Sequence, residues 1–140
     1  MEPEVHILDK YFQQILHCLT MTNVKCKGGK EIDLLAINPK TLERYHVESR
    51  VSTTFKLRIK ATYTKSGKCH KNGLDYFAKK KFYDKHVLEK INEIFGNKPY
   101  RKWLVVWDVQ DDSVIEEAKN RYGIEVRLMG NILDQMIKEL

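Results

Sequence analysis

Cysteine is scarce in this sequence, and its three cysteines form no recognisable framework. Cys18, Cys26 and Cys69 are an odd number without a CxxC pair, which argues against a disulfide-stabilised secreted scaffold and favours a reducing compartment. Cys69 precedes His70, but two adjacent residues lack the paired ligand spacing of a structural zinc site. We therefore predict that Cys18 and Cys26 are small buried hydrophobic residues.

Long apolar runs are also missing. No segment approaches the roughly 20 residues that a membrane-spanning helix needs. The first ten residues, MEPEVHILDK, have no basic stretch before an apolar core, unlike a signal peptide. Repeats and low-complexity tracts are absent as well. These absences predict a cytoplasmic protein that makes no membrane contact and forms a single domain over residues 1–140.

The composition favours a packed and basic domain. Hydrophobic residues make up 42% of the chain, which is typical of a globular core rather than of disorder. Twenty-five Lys and Arg residues against 19 Asp and Glu residues give a formal net charge of +6. A basic domain attracts phosphates, acidic proteins or headgroups, although the same charge also serves solubility.

The hydrophobic pattern predicts alternating helices and strands. We expect helices over residues 4–20, 74–95, 113–122 and 132–140, with caps from Gly96, Gly123, a Ser113–Glu116 capping box and Asn131. We expect strands over residues 23–27, 32–37, 44–51, 102–109 and 124–129. The first three strands can form an antiparallel meander. The order therefore predicts an α/β fold with a mixed central sheet flanked by helices on both faces.

Two carboxylates occupy the predicted hairpin EIDLLAINPKTLERYHVESRVS. Asp33 interrupts an apolar strand, Glu48 lies on the returning strand, and both stand at similar distances from the turn at Pro39-Lys40. They can therefore be cross-strand or diagonal neighbours on one face. Two close carboxylates repel unless a cation lies between them. The alternative is that both acids are ordinary solvated surface charges.

The segment GGKEIDLLAINPKTLERYHVESR resembles the core of the PD-(D/E)XK nuclease superfamily, which includes type II restriction enzymes and archaeal Holliday-junction resolvases. The family pattern runs from a helix through Gly-rich residues to an Ile-Asp-Leu strand, a turn and a strand ending in Glu-X-Lys. The resemblance covers residues 5–51 by motif and the whole chain by element order. It implies a restriction endonuclease-like fold, with an αβββαβ core and C-terminal additions.

The same resemblance implies a Mg²⁺ site, with Mn²⁺ as an alternative ion. Asp33 and Glu48 would be metal ligands, and the backbone carbonyl of Ser49 a further one. Position 50 would hold the catalytic lysine, but this chain has Arg50. Arginine can stabilise charge on a phosphate, yet it does not lose its proton in proteins and so cannot act as a general base.

Three further residues are candidates for supporting roles. The family's first helix often adds a carboxylate, and here Asp9 is the main candidate. The alternative is that Asp9 is an ordinary exposed helix acid, which is the more common role of such a residue. Gln13 lies one turn further along and could orient a water molecule. Glu31 should share a strand face with Asp33, either as a neighbour of the site or as a solvated side chain.

Basic residues follow the candidate site and are natural contacts for a phosphate backbone. They are Arg44, Lys56, Arg58, Lys60, Lys65, Lys68, Lys79 and Lys80. The lysines at 79–81 can also be a solvated helix face. Nothing resembles a helix-turn-helix or a zinc finger.

Three functions therefore remain open. The first is a metal-dependent endonuclease that acts on DNA rather than RNA. Many relatives act as dimers, and a homodimer of this chain would pair through residues 132–140 or through the strand at Trp103. The second is a catalytically inactive module of the same fold that binds nucleic acid or a partner protein, which the loss of the lysine at position 50 favours. The third is an α/β partner-binding protein with no role on nucleic acid.

Overall fold

The computed structural model of the chain describes residues 2–50 and 73–140. Helix α1 (Pro3–Gln14) leads into strands β1 (Leu19–Lys25), β2 (Glu31–Ile37) and β3 (Arg44–Arg50). Helix α2 (Leu74–Phe77) continues as a π-helical turn (Ala78–Phe82) and is followed by α3 (Lys85–Phe95). The chain then forms β4 (Arg101–Val106), α4 (Asp112–Glu117) with a second π-helical turn (Ala118–Tyr122), β5 (Ile124–Leu128) and α5 (Met129–Lys138).

The five strands form one mixed sheet in the order β1-β2-β3-β4-β5. Short turns connect the first three strands, so β2 pairs antiparallel with both β1 and β3. Helical crossovers lead to the last two strands, so β4 pairs parallel with β3, and β5 pairs parallel with β4. The prediction of an antiparallel meander followed by helix-linked strands is confirmed.

Helices cover both faces of the sheet. On one face, α1 and α5 pack against the centre of the sheet, and Phe12 lies 5.1 Å from the Tyr45 ring and 5.2 Å from the Trp103 ring. On the other face, α2 with its π-helical turn and α4 pack on β4 and β5. Helix α3 covers β1 and β2 through Val87 and Ile91. The predicted α/β class with helices on both faces is confirmed.

The predicted first helix is too long and the predicted first strand begins too late. Helix α1 ends at Gln14 rather than near residue 20, and β1 begins at Leu19 rather than at residue 23. His17 adopts a left-handed φ of 57°, which no α-helix tolerates. The apolar spacing of Ile15, Leu16 and Leu19 resembles a helical face, but Leu19 lies on the strand and is largely exposed.

The predicted long helix over residues 74–95 is wrong, because the chain breaks at Tyr83 and Asp84. Asp84 has extended backbone angles, and its carboxylate accepts hydrogen bonds from the backbone N–H groups of His86 and Val87. This is an N-cap, which starts a new helix in a new direction. The break allows α2 and its π-helical turn to pack on β3, β4 and β5, while α3 covers β1 and β2.

Three other boundaries differ from prediction. Strand β4 ends at Val106 rather than at residue 109. Asp111, not Ser113, caps α4, and its carboxylate accepts the Ser113 N–H at 2.9 Å. Helix α5 begins at Met129, so Asn131 lies inside the helix rather than at its cap.

The two described cysteines are free thiols. Cys18 is buried, and burial raises the pKa of its thiol to about 11. Cys26 is partly buried. Cys69 and His70 lie outside the described residues. In the described ranges, no helix combines the length and hydrophobicity needed to cross a membrane.

The strand at Trp103 cannot pair with a second copy of the chain. β4 lies between β3 and β5, so both of its edges are already bonded, and Trp103 is buried. At the C-terminus, Ile137 and Leu140 are exposed, and pairing through residues 132–140 stays a prediction.

The cap at Asp84 gives a test of the break between α2 and α3. We expect Asp84→Ala to lower the free energy of unfolding by about 1 kcal/mol, because two backbone N–H groups lose their acceptor. Chemical denaturation measures the change. Asp134→Ala, at an exposed position within α5, is the control and should change stability by less than about 0.5 kcal/mol. Equal effects of the two substitutions would contradict the capping role.

Candidate metal centre

Asp33 and Glu48 are neighbours at the point where β2 and β3 separate. The paired register of these strands ends with Leu34 opposite Val47, so Asp33 and Glu48 occupy the next two facing positions. The Asp33 N–H donates to Glu48 Oε2 at 3.4 Å. The predicted juxtaposition of the two carboxylates is therefore present in the structure.

A local distortion of β1 accompanies this separation. The ladder between β1 and β2 passes from Thr22 opposite Leu34 to Val24 opposite Ile32. Between them, Asn23 adopts a left-handed φ of 50°, a conformation that asparagine tolerates better than most residues. Asp33 therefore sits at an interruption of regular pairing with both neighbouring strands.

Ser49 holds the Asp33 carboxylate. Both its backbone N–H and its hydroxyl donate to Asp33 Oδ2, at 2.8 and 3.1 Å. Two such hydrogen bonds fix the orientation of the carboxylate. Ser49, predicted as a carbonyl ligand, thus also positions Asp33 through its donor groups.

Glu48 is a buried carboxylate that is only partly satisfied. Its side chain is 1% exposed, and Oε1 has no hydrogen-bond partner among the described residues. Burial raises the pKa of Glu48 well above its ordinary value, the negative charge of Asp33 raises it further, and the positive charge of Lys81 opposes the shift. A buried acid kept beside a second acid is costly for a protein without a cation.

His46 is a component of the site that sequence reasoning missed. Its Nε2 lies 2.7 Å from Glu48 Oε2, and its side chain is fully buried. Burial lowers the pKa of His46 to about 3, and the charges of Lys102 and Lys81 act in the same direction. The imidazole is therefore neutral near pH 7 and can donate its single N–H to the Glu48 carboxylate. The available signal was the alternation of His46 and Glu48 on one strand face.

Asp9 and Gln13 contact each other rather than the carboxylate pair. Gln13 Nε2 donates to Asp9 Oδ1 at 3.0 Å, and the Thr20 hydroxyl donates to the same oxygen. Glu31 forms an ion pair with Lys25 on β1. The catalytic role of Asp9 and the supporting roles of Gln13 and Glu31 stay predictions.

Arg50 packs against a helix. Its guanidinium lies 4.4 Å from the centroid of the Phe77 ring on α2. Phe77 is buried, so this cation–π contact fixes part of the packing between α2 and the end of β3.

The predicted basic contacts are dispersed along the described chain. Arg44 begins β3, roughly 13 Å along the strand from Glu48. Lys79 and Lys80 are exposed and contact Asp75 and Tyr76 on their own helix. The remaining predicted contacts lie outside the described residues: Lys56, Arg58, Lys60, Lys65 and Lys68.

The donor set suits a hard divalent cation. Carboxylate oxygens from two adjacent strands, one of them buried without a partner, are the kind of ligand that Mg²⁺ and Mn²⁺ prefer. In residues 2–50 and 73–140, no group of three or more His, Cys, Asp or Glu side chains is placed to hold a metal ion. A cation held by Asp33 and Glu48 would therefore also need backbone oxygen or water.

Known proteins resemble the chain in fold. No protein-family model matches it, and no curated protein matches its sequence. A crystal structure of a protein of unknown function, AF1548, superposes with a TM-score of 0.59 at 16% identity, over 95% of this chain and 65% of the other. A repair endonuclease from Pyrococcus abyssi superposes with a TM-score of 0.51 at 13% identity, over 91% of this chain.

These similarities establish the fold. The chain spans 65% of the first structure and 47% of the second, so it is the counterpart of only a part of each. The mixed five-stranded sheet with its flanking helices is similar to that of an endonuclease.

The buried Glu48 generates a stability prediction with a defined pH dependence. We expect Glu48→Gln to raise the Tm of the metal-free protein at pH 7 by about 4 °C or more, because a neutral amide replaces a buried charge. The folded-state pKa of Glu48 is raised, so folding favours the protonated acid. The protonated Glu48 side chain therefore makes its full contribution to the free energy of unfolding below about pH 4.3. That contribution is lost as the pH rises towards the raised pKa of the folded state.

Thermal unfolding between pH 4 and pH 8 in the presence of EDTA measures this effect. The difference between wild type and Glu48→Gln should be small near pH 4 and grow with pH. Glu31→Gln, at a more exposed acid on the neighbouring strand, is the matched control and should show no such growth. A Glu48→Gln protein that is less stable than wild type at pH 7 would contradict the cost assigned to the buried charge.

Proposed function

We propose that this chain is a metal-dependent endonuclease of the PD-(D/E)XK type, acting on DNA. The observation that carries the proposal is the buried, partly unsatisfied carboxylate of Glu48 beside Asp33 at the separating ends of two strands. The nuclease-like fold supports it, since a repair endonuclease is a structural neighbour.

Asp33 and Glu48 would hold one Mg²⁺ or Mn²⁺ ion, with Ser49 as the backbone ligand that the sequence pattern implies. The bound ion would supply Lewis-acid stabilisation and make a water molecule more nucleophilic. Ser49 orients Asp33 through its N–H and hydroxyl. His46 orients Glu48, and burial keeps its imidazole neutral.

An exposed tryptophan supports a nucleic-acid ligand. β3 and β4 run parallel with Arg50 opposite Val106, so Trp107 follows at the same end of the sheet as Ser49 and Arg50. Its side chain is 46% exposed. A flat exposed ring near the proposed reaction centre can stack on a nucleobase.

The inactive-module alternative is favoured by one observation. Arg50, which occupies the position of the family's lysine, packs its guanidinium against the Phe77 ring on α2. A site that binds metal and DNA without cleaving DNA would support this alternative.

Metal binding is the first test of the proposal. Titration calorimetry with Mn²⁺ should show one site on wild type that is lost in Asp33→Asn and in Glu48→Gln. Millimolar Mn²⁺ should correspondingly raise the Tm of wild type but not of either variant. Nicking of supercoiled plasmid and cleavage of branched DNA in Mg²⁺ should be abolished by the same two substitutions.

Glu93→Gln, at an exposed acid of α3, is the control for both assays and should retain metal binding and cleavage. Absence of Mn²⁺ binding by wild type at millimolar concentration would contradict the proposal. Binding that survives both Asp33→Asn and Glu48→Gln would place the metal elsewhere.

Tryptophan fluorescence tests the DNA contact. The chain has two tryptophans, and Trp103 is buried while Trp107 is exposed. We expect single-stranded oligonucleotides to quench the emission through stacking on Trp107, and Trp107→Ala to weaken binding by about fivefold or more. Trp107→Phe should retain most of the affinity. Unchanged quenching in Trp107→Phe would show that the signal arises elsewhere.

A further inference from the structure

Lys81 differs from the two lysines that precede it. Lys79 and Lys80 are exposed, whereas Lys81 is partly buried. Lys79 pairs with Asp75 at 3.2 Å, and Lys80 donates to the Tyr76 hydroxyl at 3.0 Å. The three consecutive lysines therefore lie in two different environments. Lys81 is the partly buried lysine of the segment formed by α2 and its π-helical turn, residues 74–82.

Two ring contacts place this segment over β3. Phe77 lies against the Arg50 guanidinium at 4.4 Å, and Phe82 lies 4.7 Å from the His46 ring. His46, Glu48 and Arg50 alternate along β3 and so share one face. Glu48 therefore lies between the two anchored positions.

Lys81 follows Phe77 by one helical turn and directly precedes Phe82. Lys81 therefore lies between the two ring contacts, on the part of the segment that crosses β3 at Glu48. The positive charge of Lys81 acts on both Glu48 and His46. The π-helical turn Ala78–Phe82 holds this lysine, and such turns are frequent at functional sites.

We infer that Lys81 supplies the catalytic cation of the site, and that Arg50 is a packing residue that anchors α2. This inference rests on the proposed nuclease function. Lys81 would approach the scissile phosphate from the helix rather than from the strand position that the family pattern implies. Its compact ammonium group carries three donors, which suits charge stabilisation on a phosphoryl oxygen.

The reaction needs no change in the protonation of Lys81. The oxygen of a water molecule bonds to phosphorus, and the bond from phosphorus to the leaving sugar oxygen breaks with its electron pair going to that oxygen. One proton of the water ends on the leaving oxygen, and the other stays on the new terminal phosphate or passes to solvent. Lys81 stabilises the negative charge that develops on the phosphoryl oxygens between these states.

The test compares metal affinity and cleavage in Lys81→Met. Removing a cation near two carboxylates should tighten Mn²⁺ binding by about threefold to tenfold, measured by calorimetry. The same substitution should lower kcat for plasmid nicking by about 100-fold or more. Opposite changes in metal affinity and in kcat distinguish a catalytic cation from a structural role, because a misfolded site loses both.

Two variants control the measurement. Lys81→Arg keeps the charge and should leave Mn²⁺ affinity near that of wild type. Lys79→Met removes an exposed lysine of the same segment and should also leave Mn²⁺ affinity unchanged. Lys81→Met protein with wild-type Mn²⁺ affinity, or with wild-type kcat, would overturn the inference while leaving the metal site established. Absence of Mn²⁺ binding by wild type would overturn both this inference and the proposed function.

Discussion

The structure depends on the burial of one carboxylate, that of Glu48, beside a second one. A buried acid with an unpartnered oxygen is unfavourable, and the surrounding residues moderate that cost without removing it. His46 Nε2 and the Asp33 N–H both contact one oxygen of Glu48, and Lys81 contributes a positive charge. The other oxygen, Oε1, is buried without a hydrogen-bond partner among the described residues, as expected where a cation completes the site.

The rest of the fold brings these groups to one place. β2 and β3 separate after Leu34 and Val47, which opens the sheet at Asp33 and Glu48. The parallel pairing of β3 with β4 then sets Trp107 at the same end of the sheet. The break at Asp84 separates α2 from α3, so that Phe77 and Phe82 pack over β3 while α3 covers β2. A continuous helix could not cover both regions.

Much of the fold was predictable from local patterns. Apolar alternation and short apolar runs located the five described strands, although β1 begins at Leu19, earlier than predicted. The short turn after Ile37 implied antiparallel pairing of β2 and β3. The errors in the predicted helix boundaries have local causes that the spacing of apolar residues does not reveal. His17 ended α1 through a left-handed backbone, and Asp84 and Asp111 capped helices where a continuous helix or a Ser113 cap was expected.

The sequence by itself determined the α/β class, the element order and the pair of acids on facing strands, because strand alternation and turn chemistry depend on neighbouring residues. Tertiary structure alone decided the placement of the groups around that pair. His46 looked like an ordinary strand residue, Arg50 like the catalytic cation and Lys81 like one of three solvated lysines. Their positions depend on how α2 packs across β3, a contact between residues about 30 positions apart that no local pattern encodes.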